Sequence, residues 1–163
     1  MRLRISQSPS GTLGRSAAAC AAVILLGCLT AIINAQNAKV TTPEALDTVM
    51  KKAGPAMQAT QKAMTSGASD DAKTQLATLR QAILDSQDFW IEKKREDAVK
   101  MNKDTLARID AVDKLLGASG GDPAAATTAL KQVGASCRSC HQKYRTTDAE
   151  ENYILKPGSL EGQ

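Results

Sequence analysis

From Thr42 onward, apolar side chains recur every three or four residues in four separate runs, the pattern of helices that each bury one face. The first run is entered through Thr42-Pro43-Glu44, a helix-start signature, and carries Leu46, Val49, Met50, Ala53, Met57, Ala63 and Met64 inward. Ser66-Gly67-Ala68-Ser69-Asp70-Asp71 breaks and recaps the chain before a second run of Ala72, Leu76, Leu79, Ile83 and the pair Phe89-Trp90, whose end the pattern does not mark. A third begins at Arg95-Glu96-Asp97, turns Ala98, Met101, Leu106, Ile109, Val112 and Leu116 inward, and stops at Gly117-Ala118-Ser119-Gly120-Gly121. Asp122-Pro123 opens a fourth, with Ala126, Leu130, Val133, Cys137, His141 and Tyr144 as its stripe. Glu150 to Gln163, containing Pro157 and Gly158, reads as an extended tail.

Long amphipathic helices on short connections predict an all-α fold, an antiparallel up-and-down four-helix bundle. No repeat and no second domain is evident in the 163 residues. Gly54-Pro55 interrupts the first helical pattern and predicts a kink just past Met50, because proline removes a backbone donor and disfavours helical geometry in the residue before it.

Residues 1–35 have a different texture. Arg2, Arg4 and Arg15 are their only charges, and Ala17 to Ile33 is an uncharged, mostly apolar run, so this stretch reads as an export segment with cleavage after Ala35. The mature domain is then 36–163 and its expected location is the periplasm. Two alternatives stay open: Leu25-Leu26-Gly27-Cys28 resembles a lipoprotein processing box, and the apolar run is at the lower limit for an N-terminal membrane anchor. No twin-arginine pair is present, which implies export as an unfolded chain.

Charge follows from that division. Most of the formal net charge of +4 belongs to the export segment: without its three arginines, 18 of the 21 basic residues remain against 17 acidic ones, a balance of +1. A near-neutral domain without basic runs interleaved with aromatics gives no footprint for nucleic acid. Phe89, Trp90, Tyr144 and Tyr153 are the only aromatic residues besides His141, so the protein core is thin and would gain from a large apolar guest. Cys20 and Cys28 leave with the export segment, so no structural disulfide is expected.

The remaining cysteines carry the chemistry. Cys137, Cys140 and His141 spell C-x-x-C-H, the attachment signature of haem c. Two thiols are needed to add across the two vinyl groups of one porphyrin, with an imidazole beside them for the iron. At about 100° per residue, Cys140 lies roughly 60° to one side of Cys137 and His141 roughly 40° to the other, so one helix face presents all three. A thioredoxin-like redox pair would follow a strand, and no strand pattern precedes this one. Zinc would find only these three of its usual soft ligands in the mature chain. One covalently attached haem c is therefore the expected cofactor.

Gly134 to Arg145, with the count and order of the helices as weaker support, resembles the class II c-type cytochromes, the cytochrome c′ group; the likeness runs from about Thr41 to Arg145. Those proteins are four-helix bundles with C-x-x-C-H close to the C-terminus. The resemblance implies that His141 is the proximal iron ligand and that Arg145, four positions later, lies near the imidazole and the haem. For Arg145, a solvated residue complementing the helix C-terminus is the competing reading.

A sixth ligand decides between functions. His141 is the sole histidine, which leaves Met50, Met57, Met64 and Met101 as candidates in the mature chain. The first three share one helix face at intervals of about 10 Å, so at most one reaches a given iron and the others pack. Asp47 to Gly54 resembles the first-helix segment of the low-spin, methionine-ligated members of the family, which implies Met50 as distal ligand with Met57 as runner-up. The expected function is an exported single-haem electron carrier serving redox partner proteins. A five-coordinate protein binding nitric oxide or carbon monoxide at a vacant distal site is the alternative. No paired carboxylates, nucleophile with base, or phosphate loop points to an enzyme. Relatives often form homodimers through their first two helices, so a homodimer is an implication of the resemblance alone. Phe89-Trp90 reads first as core packing, with an electron route as the second reading, and Gly134 either admits a close approach or merely weakens its helix.

Overall fold

A computed structural model describes residues 39–117 and 122–161. The predicted export segment, its cleavage site and residues 118–121 of the third stop signal lie outside them. The described chain is all-α in its main architecture: α1 (Pro43–Thr65), α2 (Ser69–Glu92), α3 (Glu96–Gly117) and α4 (Pro123–Tyr144), followed by two short strands, β1 (Arg145–Thr147) and β2 (Tyr153–Leu155). None of these helices is long and apolar enough to cross a membrane.

Local chemistry explains the ends. Thr42 caps α1 by accepting from Ala45 N–H at 3.2 Å, and Pro43 follows at the first helical position, where its missing donor costs nothing. Gly67, with φ +75°, turns the chain into α2; there Asp70 and Asp71 face the positive helix end, and no side chain caps it. The Asp122 carboxylate accepts from Ala124 and Ala125 N–H, both at 2.9 Å, and starts α4. The end of α2, unmarked in the sequence pattern, is made by Lys94 in the left-handed region (φ 53°), with Arg95 N–H returning to Trp90 O at 2.9 Å.

Leu46 and Val49 of α1, Leu76, Leu79, Ile83, Phe89 and Trp90 of α2, Ala98, Ile109 and Val112 of α3, and Leu130, Val133 and Tyr144 of α4 form one buried cluster. Each helix packs on the next in sequence, while α1 meets α4 only sparsely. Cross-helix contacts ascend one helix as they descend its neighbour: Arg80 with Asp110 and Ser86 with Asn102 between α2 and α3, then Arg108 with Gln132 and Asp97 with Lys143 between α3 and α4. Asn102 is buried, and its amide donates to Ile83 O and Ser86 Oγ. A buried amide nitrogen with both its partners on α2 fixes the α2–α3 register, since sliding either helix would orphan it.

The tail differs from its expected extended form. Arg145 pairs with Leu155, Thr146 with Ile154 and Thr147 with Tyr153 in an antiparallel hairpin. Asp148 organises the turn by accepting from Glu150 and Asn152 N–H at 3.0 and 2.8 Å. Leu155 and Leu160 then pack against the core, so apolar burial holds a segment whose strands are too short to announce themselves.

Candidate functional site

Helix α4 carries the motif on its last two turns. Ala126, Leu130, Val133 and Tyr144 anchor its inner face, and at that same face Cys137 and Cys140 are half-buried against the core cluster. Both cysteines are free. Burial pushes the Cys137 thiol up; burial, with the neighbouring Cys137 thiol adding to it, pushes Cys140 up to about 11. Both therefore stand as S–H at neutral pH, the form whose addition across a vinyl group makes a thioether.

His141 is half-buried beside them. Burial first and the Arg145 charge second hold its imidazole below the usual histidine range, so it is neutral at pH 7 with a lone pair available to a metal. An open cleft of about 380 Å³ lies over it, walled by Arg138, Gln142, Arg145, Thr146 and Tyr153. Arg145 closes α4 as its C-cap, donating its N–H to His141 O, and its guanidinium lies over the Tyr153 ring at 4.0 Å. The motif residues and Arg145 are thus brought together at one helix end.

The methionines fall as follows. Met50, Met57, Met64 and Met101 are all half-buried against the core. Met57 faces α4: a Cβ at Gly134 would stand 3.5 Å from Met57 Cε, an ordinary contact, so Gly134 marks the crossing without being sterically required by it. Beside Gly54 there is open space, with nothing within 4 Å of the position a Cβ would take. Phe89 and Trp90 are buried and packed edge-to-face at 5.0 Å, and Trp90 also lies 4.7 Å from the Tyr144 ring.

Sequence reasoning missed a polar cluster one turn beyond His141. Arg95, Asp97, Lys143 and Tyr144 converge there: Tyr144 Oη and Lys143 Nζ both meet the Asp97 carboxylate, and Arg95 reaches Tyr144 Oη at 3.2 Å. Lys143, Tyr144 and Arg95, in that order of effect, hold the Asp97 carboxyl well below the usual carboxylate range. Burial and Asp97 push the Tyr144 phenol up to about 12. The inward stripe of α4 included Tyr144, but nothing in the sequence pairs it with residues 47 and 49 positions earlier.

Among the described residues, no group of three or more His, Cys, Asp or Glu side chains is disposed to cage a bare metal ion. Two free thiols and a neutral imidazole on one face match instead the donors that a covalently attached haem takes, with Met50 and Met57 as soft side chains on the facing helix. No protein-family model, no curated protein and no solved structure matches the chain.

Proposed function

We propose that this chain is an exported, single-haem c-type cytochrome of the class II kind, an electron carrier built as an antiparallel up-and-down four-helix bundle. The observation that carries the reading is the C-x-x-C-H donor set on the last of four helices, with both thiols free and the imidazole neutral. The alternating direction of the contacts from α2 to α4, and the three-residue turn between α1 and α2, support the bundle topology. In that topology Cys137 and Cys140 would hold the ring and His141 would bind its iron.

The same topology supports Met50 as the distal ligand. Met57 faces Gly134, and α1 then runs opposite to α4. His141 lies seven residues beyond Gly134 and Met50 seven before Met57, about 10 Å along each helix, so the two stand at one level. The sparse α1–α4 seam leaves room between them. Bound haem c supplies a reversible one-electron couple. The chain would contribute the iron donors and the nearby Arg138 and Arg145 charges, both of which bear on the potential. Redox proteins in the periplasm are the proposed partners.

The reduced visible spectrum of the exported, haem-loaded protein, before and after carbon monoxide, tests this. Sharp low-spin bands that the gas leaves unchanged are expected. Bands that shift with the gas indicate an open distal face and ligand binding, and a chain that carries no haem removes the proposal. The Met50→Ala protein is expected to become sensitive to carbon monoxide; retention of the closed spectrum assigns the distal position to another residue.

A further inference from the structure

Besides the ordinary i to i+4 bond at the C-cap, two of the last carbonyls of α4 end on Lys156, in the segment that follows the helix. His141 O accepts from Arg145 N–H, Gln142 O from Lys156 Nζ, and Tyr144 O from Lys156 N–H at 2.8 Å. A helix end ordinarily leaves such groups to water. Here the turn that bears His141 is tied into the hairpin.

The hairpin is tied down in turn. Arg95, in the α2–α3 link, is only 8% exposed, and its guanidinium meets Ser159 O at 2.7 Å, Tyr144 Oη at 3.2 Å and Asp97 at 3.3 Å, with the Tyr144 ring 5.4 Å away. Burying a guanidinium is unfavourable unless each of its edges is paired, and a link between two helices does not need one. Its geometry joins the start of α3, the end of α4 and the hairpin's far end. Strand β2 also touches α1, so the segment bridges the two helices that bear His141 and Met50.

We propose that Arg95, Asp97 and Tyr144 are positioning residues for the haem motif, clamping the hairpin segment 145–161 over the last turn of α4 so that the His141 imidazole keeps a fixed orientation. This rests on the haem reading given above. None of the three ligates iron; they act through the turn that does. Tyr144 is one turn beyond His141, with its ring on Trp90 and its hydroxyl on Asp97, so its hydroxyl is the sharpest place to loosen the clamp.

The test compares full-length, haem-loaded Tyr144→Phe and Arg95→Gln with wild type, using Arg80→Gln, which breaks only the exposed α2–α3 pair to Asp110, as the control. Tyr144→Phe keeps the ring, so it carries the test if Arg95→Gln does not fold. Two readouts are taken: amide exchange at Arg145 and Lys156 relative to Ile109, and the haem midpoint potential. Both variants are expected to exchange about tenfold faster at those amides, the equivalent of one lost hydrogen bond, and to show a shifted potential while Arg80→Gln shows neither. Arg95→Lys, which keeps the charge but not the fork, is expected to behave like Arg95→Gln. Unchanged exchange overturns the clamp, and faster exchange with an unmoved potential overturns the positioning role. A wild-type chain that takes up no haem removes the function and this inference together, whereas a haem-loaded wild type with unaltered variants removes the inference alone.

Discussion

Single residues decide the corners of this protein. Lys94 holds φ 53° because Arg95 must turn back to Trp90 O to close α2, and a side chain there meets the steric cost of the left-handed region. Lys94→Gly is expected to raise stability by about 1 kcal/mol, read as a higher urea midpoint with an unchanged denaturant slope. The site's residues divide in how legible they are. Cys137, Cys140 and His141 could be read directly, because their spacing is local and one helix turn turns spacing into geometry. Arg95 could not, because its partners Tyr144 and Ser159 lie 49 and 64 residues away. Nothing local distinguishes a buried arginine from a solvated one at a helix start.

At the scale of elements, α1 runs as one helix from Pro43 to Thr65 through Gly54-Pro55, on its exposed face. Pro55 has no N–H for the Lys51 carbonyl, so that helix bond is missing. Pro55→Ala is expected to stabilise the fold by roughly 1–3 kcal/mol, visible as a raised melting temperature, because exposure leaves room for the repaired helix. The helix boundaries were legible for a physical reason: Thr42-Pro43, Gly67 and Asp122-Pro123 satisfy or remove end groups using residues within four positions. The hairpin was not. Strands of three residues carry too little alternation to register, and their pairing depends on an Asp148 turn and on Leu155 and Leu160 reaching a core assembled elsewhere.

For the whole molecule, the cluster joining α3, α4 and the hairpin sets a pH window. Asp97 has its carboxyl held below the ordinary 3.8, so the unfolded chain binds its proton first as pH falls. Its contribution is complete above about pH 4 and is lost progressively below. Tyr144, raised from 10.0 to about 12, acts in the opposite direction: the unfolded chain loses its proton first, so this contribution is complete below about pH 10 and fades as pH rises toward 12. Urea midpoints of wild type and Asp97→Asn are expected to differ most near neutrality and to converge below pH 4. In Tyr144→Phe the decline above pH 10 is expected to flatten, and a decline identical to wild type would assign it to other groups.

The sequence by itself determined the four helices, the faces they bury, most of their ends, and the trio of donors on the last one, because each of these is a matter of neighbours within a turn or two. Tertiary structure decided the rest: the Asn102 lock between α2 and α3, the meeting of Met57 with Gly134, the folded hairpin, and the Arg95 cluster that ties it to the motif helix. Those features join residues far apart in the chain, and their energies exist only once packing has removed water from between them. Periodicity tells a helix which face to bury; it does not tell a side chain which partner will be waiting there.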